Sequence, residues 1–322
     1  MSQLGPYYLD GEMSNANAGY CMWGFGTRSG RQYFIKQFLS PKYPFEGAAF
    51  TDEYKRKRIR ECEQFERQKK EIYSVLNQHS DGNDVRVLDF FRIKSRYYMC
   101  MEKVNDLGLT VEQIYAMDWA DRLRLCTSIA HAVAGLHQGR MIHADLKHDN
   151  ILYTYTQGRR ITAKVIDFDS SFLETNPPKD GEEIVGDQLY FSPEAREFMD
   201  GQPVPLTCKM DVFALGILFH QYLGGSLPLY DRTRFHYPAD VVLSGQSLDV
   251  VPEMPAQVAD LLRQMLQGDP GRRPTAWQCF VQLREAMGVP VTSFDQPEPP
   301  AFDQSLPETP VSENPWHAAG DL

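Results

Sequence analysis

The alternation of apolar and polar residues divides the chain into two unequal halves. Residues 7 to 39 read as short strands, because Tyr20-Cys21-Met22-Trp23 and Gln32-Tyr33-Phe34-Ile35 are bounded by Gly and Ser-Gly breakers. From Lys55 to Gln78 the period lengthens. Phe65, Ile72 and Leu76 fall on one helical face, and the Lys and Arg run at 55 to 60 reads as a solvated face. Strands return at Val85 to Ile93 and Tyr97 to Val104. Beyond Asn105 the pattern turns helical. Trp119, Leu123, Cys126, Ile129, Ala130, Val133 and Leu136 recur at three and four and predict an amphipathic helix from Trp119 to His137, with His131 and His137 surface or structural. The stretch from Asp211 to about Leu223 is apolar almost all round and predicts a buried strut. Past Met287 periodicity stops: seven prolines fall between Pro290 and Pro315, so residues 289 to 322 are expected to be a disordered acidic tail. A strand-rich segment followed by a helical one predicts an α+β fold of two lobes with the boundary near Asn105.

Composition narrows the class. A chain of 322 residues buries roughly three quarters of its unfolded surface, enough for two lobes with separate cores. The six cysteines include no C-x-x-C pair, which argues for reduced thiols in a cytoplasmic setting and against a disulfide frame or zinc site. Met1 to Asp10 lacks a basic segment followed by an apolar run, and no stretch approaches 18 apolar residues, so neither a signal peptide nor a membrane partner is expected. A formal net charge of −10 argues against a nucleic-acid partner. Oligomeric state is not legible in the sequence.

The chemistry lies in Met141-Ile142-His143-Ala144-Asp145-Leu146-Lys147-His148-Asp149-Asn150, answered downstream by Val165-Ile166-Asp167-Phe168-Asp169. Each segment places a carboxylate in an apolar setting, with an amide and a lysine close by. Phosphoryl transfer requires such groups: one carboxylate to orient and deprotonate a hydroxyl, oxygen ligands for Mg2+, and a cation on the transferring phosphate.

His143-x-Asp145-Leu146-Lys147-x-x-Asn150 resembles the H-x-D-L-x-x-x-N catalytic loop of the eukaryotic-type (Hanks-type) Ser/Thr protein kinase family, and Asp167-Phe168-Asp169 resembles its D-F-G. Gly186-Asp187-Gln188-Leu189-Tyr190-Phe191-Ser192-Pro193-Glu194 is similar to the end of that family's activation segment, Asp211-Val212-Phe213-Ala214-Leu215-Gly216 to its D-V-W-S-L-G, and Asp269-Pro270-Gly271-Arg272-Arg273-Pro274-Thr275 to its D-P-x-x-R-P-T. The resemblance implies a bilobal kinase domain over residues 5 to 288, with a β-rich N-lobe (about 5 to 104) carrying one helix and a mostly helical C-lobe (about 105 to 288). It implies ATP and Mg2+ as cofactors, protein substrates, and room for a cognate phosphatase as a further partner. Asp145 would be the base, Lys147 would sit on the migrating phosphoryl, and Asn150 and Asp167 would hold the metal. Lys36 would pair with the α and β phosphates, Ser14, Ala16 and Gly19 would lie in the phosphate loop, and backbone groups of Glu102 and Val104 would meet adenine beside the gatekeeper Met101. His143 would be structural, and Glu194 would pair with Arg273. The lean loops are similar to those of bacterial members.

Departures from that pattern matter. Only Gly19 remains of three glycines in the phosphate loop, although small residues at 14, 16 and 18 still allow close backbone approach. Phe34 stands where the family has Ala over adenine. Counting back from Leu76 to the family's helix glutamate lands on Lys69, between Glu66 and Glu71, so either the register shifts or the ion pair with Lys36 is made differently. Ala144 replaces an Arg that clasps an activation-loop phosphate, so activity is expected without such phosphorylation. Asp187 replaces a Thr, and its carboxylate either raises the Asp145 pKa or points to solvent. Asp169 replaces a Gly and makes large loop flips less accessible. Lys147 favours Ser/Thr over Tyr specificity. Two other readings remain open: a catalytically weak pseudokinase acting as a scaffold, and a small-molecule phosphotransferase of the same fold.

Overall fold

The computed structural model describes residues 2–16, 21–45, 51–79, 82–83, 85–156, 158–179 and 184–290. The expectations for Gly19 and for the tail from residue 291 onward lie outside the described residues.

A six-stranded antiparallel sheet forms the N-terminal half. Its strands are β1 (Gln3–Leu4), β2 (Tyr7–Leu9), β3 (Cys21–Arg28), β4 (Arg31–Phe38), β5 (Val87–Ile93) and β6 (Arg96–Glu102), in the spatial order β1-β2-β3-β4-β6-β5. The β3–β4 hairpin pairs Trp23 with Lys36 and Phe25 with Phe34, and β6 adds Met99 and Met101 opposite Lys36 and Phe34. Since side chains alternate along a strand, those six residues share one face. The opposite face carries Ile35 and Cys100, which pack with Leu4, Tyr7, Leu9 and Tyr98 in a small separate core.

Helix α1 (Asp52–His79) lies between β4 and β5 in sequence. Its buried residues Cys62, Lys69, Ile72, Tyr73 and Leu76 form one stripe, with Phe65 partly buried against the main core, and most of the basic run at 55 to 60 is exposed.

The C-terminal half is helical: α2 (Val111–Tyr115), α3 (Trp119–Gln138), α4 (Pro193–Met199), α5 (Lys209–Gly224), α6 (Pro238–Leu243), α7 (Ala256–Met265) and α8 (Ala276–Ala286). Thirteen of the sixteen α5 residues are buried, as expected of a helix that is apolar all round. Two short antiparallel pairs, β7 (Met141–Ile142) with β10 (Phe172–Leu173) and β8 (Ile151–Tyr155) with β9 (Ile161–Val165), flank the segments that carry Asp145 and Asp167. Hairpin β8–β9 sets Ile151 opposite Val165, and the Ile166 N–H donates to the Asn150 carbonyl at 3.0 Å. Backbone pairing thus brings Asn150 next to Asp167. The result is a bilobal α+β fold.

Candidate active site

Asp145 is held from three sides. Lys147 Nζ donates to Oδ1 at 3.1 Å and Oδ2 at 2.9 Å, Asn150 Nδ2 to Oδ2 at 2.9 Å, and the Asp187 backbone N–H to Oδ1 at 3.1 Å. Asn150 Nδ2 also donates to the Asp145 carbonyl at 2.7 Å, which locks the loop around its own carboxylate. The Asp187 carboxylate accepts from the Leu189 N–H at 2.9 Å within its own turn. At this position the backbone amide is what contacts Asp145, so an aspartate fits beside it.

The loop is braced from α5 and from beneath. Asp211, 1% exposed, accepts from the N–H groups of His143 (2.8 Å) and Ala144 (3.0 Å) and from His137 Nε2 (2.9 Å). Burial alone would raise its carboxyl pKa. The hydrogen bonds from His137 and the His143 N–H outweigh that and hold the pKa below the usual range. His143 is fully buried, its Nε2 lies 3.0 Å from the Ile166 carbonyl, and its ring rests 5.2 Å from that of Phe168. Both histidine assignments, 137 and 143, are therefore structural. Ala144 (φ 66°) and Asp167 (φ 63°) adopt left-handed backbone without being glycine, a strain of roughly 1 to 2 kcal/mol each that the surrounding bonds must hold in place.

Across the cleft, Lys36 Nζ lies 2.9 Å from Asp167 Oδ1 and 2.8 Å from Asp169 Oδ2. Burial works against the lysine's charge, but Asp169 and Asp167 outweigh it, and the ammonium holds its proton above the ordinary lysine range. Neither glutamate flanking Lys69 reaches Lys36. Glu66 accepts from the Tyr97 hydroxyl at 2.7 Å, and Glu71 is exposed. The register position is Lys69 itself, and its ammonium turns to Asp169, 3.6 Å from Oδ1. Cys21 stands on the other side of Asp169, 3.5 Å from Oδ2, where burial and the Asp169 charge push the thiol up to about 12. It stays a protonated thiol at neutral pH.

The residues expected to face the nucleotide are less open than the sequence suggests. Ser14 pairs through both backbone groups with Trp23 (2.7 and 2.8 Å), the Ala16 N–H donates to Ser14 Oγ at 3.0 Å, and Trp23 Nε1 donates to the Ala16 carbonyl at 2.8 Å. Neither N–H therefore points into open space. Trp23 and Phe34 stack at 6.0 Å between centroids on the Lys36 face. Glu102 ends β6, and Val104 follows it where the chain crosses to the helical half.

The donor set near Asp145 fits a hard cation shared with phosphate. Among the described residues no group of three or more His, Cys, Asp or Glu could cage a metal. Two protein oxygens completed by phosphate and water are the usual demand of Mg2+. Asn150 spends its Nδ2 on Asp145 and Asp167 spends Oδ1 on Lys36, which leaves Asn150 Oδ1 and Asp167 Oδ2 as the acceptors available for it.

Beyond the cleft, Arg273 and Glu194 form a buried bidentate pair at 2.7 and 2.9 Å, both residues at most 3% exposed. The remaining guanidinium donors go to the carbonyls of Gln267, Lys209 and Gly268. Ser192 caps α4 and Thr275 caps α8 through a reciprocal box with Gln278, so the segments carrying Glu194 and Arg273 are both anchored locally. A depression beside Asp145 is lined in part by Asp187, Tyr190, Phe191 and Ala195.

Comparison with known proteins agrees with this construction. The chain is 28% identical over 223 residues to CDPK-related kinase 8 of Arabidopsis thaliana, covering 67% of this chain and 35% of that protein. It is 30% identical over 209 residues to the human serine/threonine-protein kinase ULK1 (61% and 18%) and 26% identical over 220 residues to a serine/threonine-protein kinase H1 homolog of Pinctada fucata (65% and 51%). The chain thus spans about half or less of the length of these relatives. The family profile described as protein kinase domain matches residues 51–283, beginning after Lys36 and so leaving out the strands where the sequence departs most from the pattern. The match takes in Asp145, Asn150, Asp167, Glu194 and Arg273, and the chain belongs to the protein kinase family.

Proposed function

We propose that the chain is a protein serine/threonine kinase that transfers the ATP γ-phosphoryl group to protein hydroxyls. The observation that carries this reading is the Asp145 carboxylate, oriented by Lys147, Asn150 and the Asp187 N–H and opposed across the cleft by Asp167 paired with Lys36. Asp145 would accept the hydroxyl proton as the oxygen attacks phosphorus. Lys147, already on Asp145, would share its charge with the migrating group. Lys36 would hold the α and β phosphates, and Asn150 and Asp167 would hold Mg2+, which neutralises phosphate charge when bound. Ser14, Ala16 and Gly19 would cover the phosphates, and Glu102 and Val104 would meet adenine. Protein substrates, a cognate phosphatase and a cytoplasmic setting belong to the same proposal. Among the described residues no helix is long and apolar enough to cross a membrane.

Activity would not depend on activation-loop phosphorylation. Ala144 offers no guanidinium, and the loop is already held, with Ser171 Oγ donating to the His143 carbonyl at 3.2 Å. Phosphatase treatment, checked by mass spectrometry at Ser170, Ser171 and Thr175, should leave activity intact.

The test is incubation with γ-labelled ATP, Mg2+ and casein, alongside Asp145→Ala and Asp167→Ala. Label on Ser or Thr from the parent alone supports the reading. The second reading, a weak scaffold, is favoured by the internally bonded Ser14 and Ala16 and by the Trp23–Phe34 stack. It would be supported by absence of label together with no rise in melting temperature on adding Mg2+ and ATP.

A further inference from the structure

Two lysines, Lys36 on β4 and Lys69 on α1, are each only 8% exposed. A buried ammonium is costly unless it is paired, and both converge on one residue. Asp169 Oδ2 lies 2.8 Å from Lys36 Nζ, its Oδ1 lies 3.6 Å from Lys69 Nζ, and its backbone carbonyl accepts from Lys69 Nζ at 3.0 Å. Lys36 in turn meets Asp167 Oδ1 at 2.9 Å. The charges therefore alternate, Lys69, Asp169, Lys36, Asp167, and sum to zero across a helix, a loop and a sheet. Lys69 Nζ also stands 5.5 Å from the ring centroid of Phe38 on β4 and 6.0 Å from that of Phe65 on α1 itself.

The order of the charges matters more than any one of them. A carboxylate at position 69 would face Asp169 as a like charge. Loss of the Asp169 side chain would leave Lys69 without its carboxylate partner and Lys36 with Asp167 alone. Lys69 and Asp169 stand 100 positions apart in sequence, and each residue explains the other.

We infer that Lys69 and Asp169 form a positioning pair that sets the place of the Lys36 ammonium and docks helix α1 onto the loop carrying Asp167. Neither residue touches reacting atoms. Both act through Lys36, and the inference rests on the proposed phosphotransfer reaction for its effect on rate.

The test is a double-substitution cycle on the full chain with Lys69→Glu, Asp169→Gly and their combination, plus Lys69→Arg as the conservative variant. Each protein is assayed with Mg2+, ATP and casein well below its melting temperature, and each is also melted. Both disruptive single substitutions should lower kcat by about 100-fold, the scale of a reacting group misplaced by an ångström. The combination removes the like-charge contact and frees the space in which the introduced carboxylate can meet Lys36, so kcat should return to within about tenfold of the parent, far from additivity. Lys69→Arg should stay near the parent. Melting temperatures should show the same non-additivity.

An active parent with additive losses in both kcat and melting temperature overturns the inference. Coupled melting with additive kcat also overturns it, because the pair would then be structural only. An inactive parent whose melting temperatures still couple supports docking of α1 by the pair and overturns the kinase reading instead.

Discussion

Arg273→Ala removes a guanidinium whose five donors all have partners, two on Glu194 and three on backbone carbonyls. Glu194, 3% exposed, would remain buried with its charge partner gone. Removing one member of a buried ion pair costs about 3 to 5 kcal/mol, a large share of the 5 to 15 kcal/mol typical of native stability. Urea unfolding followed by tryptophan fluorescence should show a loss of about 4 kcal/mol. Arg273→Lys should recover part of it, since an ammonium keeps the charge but cannot match the bidentate fork. Replacing both partners, Arg273→Met with Glu194→Leu, should cost much less than the sum of the single losses, because no buried charge is left alone. The loss should also change little with salt, since screening reaches buried pairs weakly. An Arg273→Ala protein within about 1 kcal/mol of the parent, on the scale of an exposed pair, would refute this account of the site's anchoring.

Three further outcomes follow from local geometry. A Cβ at Gly186 would sit 2.8 Å from the Phe191 ring and 3.1 Å from the Ala144 carbonyl, so Gly186→Ala should push the loop off Asp145 and lower kcat by about 10- to 100-fold, measured by steady-state transfer to casein. Asp187→Ala keeps the N–H that Asp145 accepts and should hold activity within about threefold, whereas Asp187→Pro removes that donor and should cost more than about tenfold; equal effects would place the role in the carboxylate. Asp211 and Glu174 have depressed carboxyl pKa values, in each case because hydrogen bonds outweigh burial. They contribute stability that is fully present above the unfolded-state value of about 4 and lost as pH falls through the lower folded value. Melting temperature should therefore drop below about pH 4, and Asp211→Asn should flatten that part of the profile.

Much of the fold was legible because its elements announce themselves locally. The stripe from Trp119 to Leu136 and the all-round apolar run of α5 marked their helices within two residues or so. The Asp145, Asn150 and Asp167 cluster was legible because spacing along a loop and a hairpin sets proximity without tertiary detail. Lys69 was another matter. Sequence counting reached it and could not say what it did, since its partner is a loop residue 100 positions away and charge alternation across elements leaves no periodic trace. The Trp23–Phe34 stack depends on a cross-strand register that only the folded hairpin defines. Strand β1 and the pair β7–β10 are two residues per strand, too short for any alternation to be read. The closed state of Ser14 and Ala16 reflects a side-chain acceptor and a bridge to Trp23, which small-residue composition does not encode.

Asp211 grips the catalytic loop by the backbone N–H groups of His143 and Ala144, and never by the side chain at 144. The shape of the loop is therefore indifferent to what residue 144 is, within the limits of its left-handed backbone. Such an arrangement uncouples architecture from side-chain identity: residue 144 can change by one substitution while the backbone bonds that hold the Asp145 segment stay in place. Position 144 is thus open to change without a refolding of the structure beneath it.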